Sequence, residues 1–201
     1  MQKRASSKKE DGPVPRRPNF LIWIVTSRCN LECSHCYAAK FSKAELNEKE
    51  KFLLVKDALQ AGIKQINLTG GEVLLQTDSL KLIDYISELG VSVSVFTNGT
   101  TLSEEIVGQL AENDVFILLS IDGANKESHE SIRGAGTWEL AMAGAERLTL
   151  ASLLLLIETV VCLQNSFPDS IQSFTFVRTP SRTSLLFVED TYQDMRMCQL
   201  K

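Results

Sequence analysis

The chain has 201 residues, 44% of them hydrophobic and 23% charged, with a formal net charge of −4. That is the profile of one ordinary soluble globular domain with a real core, and it is short for two. The charge is uneven: residues 1–17 hold six Lys/Arg against two acids, a local +4 that leaves −8 on the remainder, so the body of the chain has no basic face for nucleic acid.

Residues 1–17 are charged and Ser/Lys-rich, and Pro13, Pro15 and Pro18 discourage regular structure, so a disordered basic tail is expected there. Its basic residues are not followed by an apolar core, so it does not read as a secretory signal. Strands rich in branched and aromatic residues are expected at 20–26, 64–69, 91–97, 115–121 and 153–161. Helices are expected between them. Asn47 with Glu50 makes a capping box for the first, and Gly62 sits where a left-handed cap belongs. Leu82, Ile83, Ile86 and Leu89 form the apolar face of the second helix, closed by Gly90. Ile106, Val107 and Leu110 serve a third; Leu140, Ala143, Gly144 and Leu148 serve a fourth. The apolar run 148–163 is interrupted by Ser152 and Glu158 and falls short of the roughly 20 residues that span a bilayer. It reads as a helix end entering a buried strand, and no membrane partner is expected. A sixth strand is expected at 185–189, but residues 169–177, where its helix belongs, include Phe174, Thr175, Phe176 and Val177, which prefer strand.

Strand–helix alternation of this kind implies a parallel sheet with helices packed outside. In such a sheet every loop that follows a strand emerges at the carboxyl rim, where ligands bind. Four unusual polar turns fall there. Cys29, Cys33 and Cys36 follow the first strand at CxxxCxxC spacing. Thr69-Gly70-Gly71-Glu72 follows the second, Thr97-Asn98-Gly99-Thr100 the third, and Ser120-Ile121-Asp122-Gly123 the fourth. Five cysteines with three tightly clustered argue for a reducing cytoplasm rather than a disulfide scaffold. Three thiols can hold three corners of a [4Fe–4S] cube and leave one iron open for chemistry. Two other readings exist for them: one apolar helix face at i, i+4 and i+7, or a Cys3His zinc site completed by His35.

Together, these motifs resemble those of the radical S-adenosylmethionine (SAM) enzymes over residues 18–165. The run SIDGANKESHESIRGAG is similar to the branch that often carries a C-terminal SPASM or twitch domain and matures peptides, sulfatases and cofactor or haem precursors. The resemblance implies an α/β partial (βα)6 TIM-like barrel whose last βα unit is degenerate or truncated, with 166–201 as an unassigned C-terminal segment. It implies two cofactors, a [4Fe–4S] cluster on Cys29, Cys33 and Cys36, and SAM. By the same resemblance His35 stacks on adenine, and Gly70, Gly71 and Glu72 receive the methionine ammonium. Ser120 and Arg133 receive its carboxylate, Asn98 touches SAM, and Asn165 fits the family pattern. Each has a plainer alternative: a loop histidine, a turn-stabilising asparagine, or an Arg133 surface ion pair with Glu127 or Glu130. Asp122 holds a turn or faces substrate, His129 is structural, and Cys162 is a small apolar strand residue. Val73 stands where the family commonly has proline. The implied activity is reductive cleavage of SAM to a 5′-deoxyadenosyl radical that abstracts hydrogen from a peptide or cofactor precursor. Its implied electron donor is a low-potential protein such as ferredoxin or flavodoxin. Only Cys162 and Cys198 remain downstream, too few for an auxiliary cluster, so a truncated iron–sulfur protein without catalysis is the alternative.

Overall fold

The computed structural model describes residues 18–38 and 44–153, together with the backbone of strands at 155–162, 171–179, 182–183 and 190–191. The expectations for the 1–17 tail, Asn165, the 185–189 strand and Cys198 lie outside the described residues.

The order is β1 (Phe20–Thr26), α1 (Glu48–Ala61), β2 (Gln65–Gly70), α2 (Ser79–Glu88), β3 (Ser92–Thr97), α3 (Glu104–Glu112) and β4 (Phe116–Ser120). Two helices, α4 (Lys126–Arg133) and α5 (Thr137–Leu150), then lead to β5 (Leu155–Cys162) and β6 (Ile171–Thr179). The first five strands lie side by side in sequence order, and all four pairings between them are parallel. Sequential order with right-handed crossovers puts every crossover helix on the same face of the sheet, which is the barrel-like arrangement. The five expected strands are found within two residues of their expected limits.

Local chemistry explains the helices. The Glu50 N–H donates to Asn47 Oδ1 (3.1 Å), and the Asn47 N–H donates to Glu50 Oε2 (2.8 Å), closing the expected capping box. Gly62 ends α1 in the left-handed region at φ +97°. Leu82, Ile83 and Ile86 bury the face of α2, but Leu89 falls at its C-cap and stays partly exposed. In α5 the buried positions are Thr137, Ala141, Gly144 and Leu148, so Gly144 and Leu148 hold the expected face while Leu140 is exposed. Helix α4 was absent from the sequence reading: eight residues with one buried side chain give almost no apolar period.

The core lies between sheet and helices. Val25, Ile66, Leu68, Val93, Val95, Ile117 and Leu119 meet Val55, Leu82, Ile83, Val107, Leu110 and Leu148. Each such burial contributes about 1.5–3 kcal/mol. The alternate residues Ile22, Asn67, Ser94 and Phe116 form one cross-strand row on the opposite face.

The sixth unit is degenerate, as expected. Residues 171–179 form a strand paired antiparallel to β5 along its full length, not a helix leading to a parallel strand. The strand preference of Phe174–Val177 wins locally. The eight residues between β5 and β6 are also fewer than the dozen or so that a parallel crossover needs.

Candidate functional site

All four rim turns meet at one cavity of about 240 Å³. It is lined by Cys29, Cys33, His35, Cys36 and Tyr37 from the loop after β1, by Thr69, Gly70 and Gly71 from β2, and by Phe96, Thr97 and Asn98 from β3. Ser120 at the end of β4 and Arg133 at the end of α4 complete the wall. Glu72 is not on that wall.

The cysteine loop is fixed from three sides. A register shift between Ile24 and Thr26 interrupts the β1–β2 pairing just before it, the kind of irregularity that re-aims a strand near a site. The Gly71 N–H then donates to the Thr26 carbonyl (2.8 Å) and the Glu72 N–H to the Arg28 carbonyl (2.9 Å). A Cβ on Gly70 would stand 2.1 Å from the Thr26 oxygen, and one on Gly71 would stand 2.1 Å from the Arg28 oxygen. The glycine pair therefore serves a close approach between two backbones, in addition to forming cavity wall. On the far side the Ser34 N–H donates to the Ile132 carbonyl of α4 (3.0 Å). Thr26, Glu45 and Gln76, which the sequence reading passed over, brace the base: Arg28 Nη2 pairs with Glu45 Oε2 at 2.7 Å, and Gln76 Nε2 donates to Thr26 Oγ1 at 3.1 Å. Nothing in their spacing marks them, because Glu45 lies far from the other two in sequence.

The loop is not helical, and its cysteines are exposed or half-exposed free thiols, which removes the helix-face reading. Among the described residues no three His, Cys, Asp or Glu side chains converge as ligands for a single metal ion, so the zinc reading has no support. Three thiols spread along one cavity wall suit a larger inorganic group. Burial pushes the Cys29 and Cys33 thiols up, partly offset at Cys33 by the Arg133 charge. Bound metal would have to supply the charge that deprotonates them.

The opposite wall is a buried ion pair. Arg133 Nε donates to Asp122 Oδ2 at 2.6 Å, with the side chains 10% and 0% exposed. Its partner is thus neither Glu127 nor Glu130. Among the described residues no acceptor takes its two terminal nitrogens, so that end of the fork is left to the cavity. His35 Nε2 lies 3.8 Å from the same carboxylate oxygen, and burial lowers its pKa, keeping a neutral ring on the wall. His129, fully buried, accepts the Asp122 N–H at Nδ1 (3.2 Å) and meets Trp138 edge-on. It is structural, as expected.

Burial also lowers the His129 pKa, so the unfolded chain binds a proton that the folded chain refuses. This stabilisation is complete above the unfolded value of 6.5 and is lost as pH falls through the folded value. The melting temperature of the metal-free protein should therefore drop between about pH 7.5 and 5.5. Because His35 and His129 are the chain's two histidines, the double change to Gln should flatten that slope. An equal slope in wild type and variant would place the titrating group elsewhere.

Two of the expected site residues have partners within the chain. The Glu72 carboxylate, aimed by resemblance at a ligand ammonium, is fully buried behind the wall. It accepts Thr97 Oγ1 (2.9 Å), the Asn98 N–H (2.8 Å) and the Leu74 N–H (3.1 Å). Desolvation nonetheless raises its pKa. Asn98 follows its plainer alternative in part, since Oδ1 accepts the Thr100 N–H at 2.9 Å in a side-chain turn. Its Nδ2 reaches the cysteine loop. Tyr37, whose hydroxyl lies 3.1 Å from Thr69 Oγ1, is a wall residue the sequence reading missed, although it directly follows the third cysteine.

The Radical SAM superfamily model matches residues 23–161. The chain is 37% identical over 153 residues to an AdoMet-dependent heme synthase of Methanosarcina barkeri, covering 74% of this chain and 44% of that protein. It is 32% identical over 167 residues to the mycofactocin maturase MftC of Mycolicibacterium smegmatis, covering 76% and 43%. A structure of native anSMEcpe with bound AdoMet and Cp18Cys peptide superposes with a TM-score of 0.60 at 27% identity, covering 69% of this chain and 41% of that one. The chain thus spans less than half the length of the curated relatives it matches. With the matched span running from β1 to the end of β5 and all four rim turns inside it, the chain belongs to the radical SAM superfamily, whose members use a [4Fe–4S] cluster and SAM.

Proposed function

We propose that this chain holds a [4Fe–4S] cluster on Cys29, Cys33 and Cys36 and cleaves SAM reductively, abstracting hydrogen from a peptide or a cofactor or haem precursor. The observation that carries the reading is the single cavity whose wall combines three free thiols, a glycine pair and the end of a buried arginine. That donor set fits a cube bound at three corners with a small zwitterion beside it. Held by Cys29, Cys33 and Cys36, such a cluster would supply the electron for reductive cleavage of bound SAM to methionine and a 5′-deoxyadenosyl radical.

The chain's own residues bind and orient. Arg133, its Nε held by Asp122, presents a planar fork matched to the SAM carboxylate, and Ser120 lines the same cavity. Gly70 and Gly71 admit the amino end at a wall without side chains, and the ammonium is left to their backbone because Glu72 is engaged elsewhere. The neutral His35 ring offers a face to adenine, and Phe96 supplies an apolar wall that limits water. A low-potential ferredoxin or flavodoxin is the proposed electron source. The peptide option rests on the anSMEcpe structure and the MftC likeness, and the haem-precursor option on the heme synthase likeness.

The test is anaerobic reconstitution with iron and sulfide, then dithionite and SAM, with 5′-deoxyadenosine measured against a Cys29→Ala control. Product at the control level would sink the activity. A second reading is a protein that keeps cluster and SAM without hydrogen abstraction. It predicts SAM binding with no 5′-deoxyadenosine.

Arg133 has its own prediction. Replacing it alone removes a charged partner of the buried Asp122 carboxylate and destabilises the fold. The paired change D122N/R133Q avoids this. Hydrogen bonds to charged groups contribute roughly 1.5–3 kcal/mol, so SAM should bind about tenfold more weakly or worse. Undiminished binding by equilibrium dialysis would return Arg133 to a purely structural role.

A further inference from the structure

A closed ring of side-chain hydrogen bonds ties the turn after β3 to the cysteine loop. Asn98 Nδ2 donates to Asn30 Oδ1 (3.0 Å), Asn30 Nδ2 donates to Thr100 Oγ1 (2.8 Å), and Thr100 Oγ1 donates back to Asn98 Oδ1 (2.6 Å). Every member is therefore oriented by the next. The same Asn98 Nδ2 also faces Cys29 Sγ at 3.8 Å, and the Leu31 N–H reaches that sulfur at 3.4 Å. Behind the ring, Glu72 holds the backbone of the turn through Thr97 Oγ1 and the Asn98 N–H. Asn98 is buried, so its amide has little freedom to leave.

We infer that Asn98 is a positioning residue that sets the reduction potential of the group held by Cys29, with Asn30 and Thr100 holding its amide toward the sulfur. A thiolate that accepts N–H bonds carries less density toward its metal, which stabilises the reduced state and raises the potential. The protein surrounding the cluster offers Cys29 two such donors, one backbone and one side chain. The backbone donor belongs to the loop itself; the side-chain donor comes from a different strand and can be removed without touching the CxxxCxxC run. A site that must deliver an electron to a bound sulfonium has reason to hold this value closely. The inference rests on the cluster reading above.

The test is an EPR-monitored redox titration of the anaerobically reconstituted full chain. Asn98→Ala removes the donor and should lower the midpoint by about tenfold in the one-electron equilibrium, ~59 mV. Asn98→Asp keeps the acceptor for Thr100 but turns a negative oxygen toward the sulfur, and should lower it further. Thr100→Val frees the amide to rotate away and should give a smaller shift of the same sign. Equal midpoints across wild type and variants, or a rise in the Asp variant, overturn the inference. If both Asn98 variants fail to retain iron, the Thr100→Val midpoint decides: a downward shift supports the role, and an unmoved value overturns it. A wild-type chain that takes up no iron–sulfur cluster would instead defeat the underlying cofactor reading.

Discussion

Cys33→Ala should strip the chain of its cluster while leaving the fold intact. Cys33 sits between the other two proposed ligands, and its carbonyl accepts the Cys36 N–H at 3.1 Å, so the local turn survives without the thiol. The loop is also pinned by backbone bonds to β2 and α4 that do not involve any cysteine side chain. Only a corner of the cube is lost. Two remaining thiolates cannot hold a [4Fe–4S] group at three irons, so iron should fall from about four per chain to a small residue. SAM-dependent 5′-deoxyadenosine should fall with it. Iron and sulfide assays, together with visible absorption, check the first effect, and the far-UV spectrum and melting temperature of the metal-free variant check the fold. Full iron content in Cys33→Ala would exclude Cys33 as a ligand.

Gly71→Ala should do the reverse, damaging the scaffold that presents the ligands while leaving all three in place. The new methyl would meet the Arg28 carbonyl oxygen at 2.1 Å, with the Ser27 carbonyl carbon 3.0 Å away. Both are backbone, so neither can rotate aside. Either the β2 turn lifts from the cysteine loop, breaking the Glu72 N–H to Arg28 bond, or the loop itself moves. Overpacking of this kind costs about 3 kcal/mol, at the upper end of its usual range. The metal-free protein should unfold at lower denaturant, and reconstituted samples should hold less iron. Gly62→Ala is the comparison: its Cβ would meet nothing within 4 Å, so only the left-handed backbone penalty of about 1 kcal/mol applies. A Gly71→Ala variant no less stable than Gly62→Ala would contradict the close-approach account.

Much of this was legible in the chain itself. The strands announced themselves through branched residues, and because consecutive parallel strands share a direction, the turns after them had to meet at one rim. Asn47 and Glu50 marked a helix start because capping is local chemistry. What stayed hidden depended on contacts between distant segments. No pattern in Gly70-Gly71 says whether the missing side chains clear space for a ligand or for the carbonyls of Thr26 and Arg28; the fold uses them for the carbonyls and still leaves both on the cavity wall. Glu72 looked like a ligand group by resemblance, yet its oxygens are spent on the β3 turn. Arg133 had acidic neighbours on its own helix, but it pairs with Asp122 because α4 folds back under the β4 turn. At the sixth unit the strand preference of Phe174–Val177 was itself legible, and the strand that forms there follows it.

Iron and acid-labile sulfide in anaerobically purified protein, with EPR of the reduced sample before and after SAM, test the central claim most directly. The account predicts about four iron and four sulfide per chain and a spectrum that changes when SAM reaches the open iron. A colourless protein, or a full cluster whose spectrum ignores SAM, would contradict it.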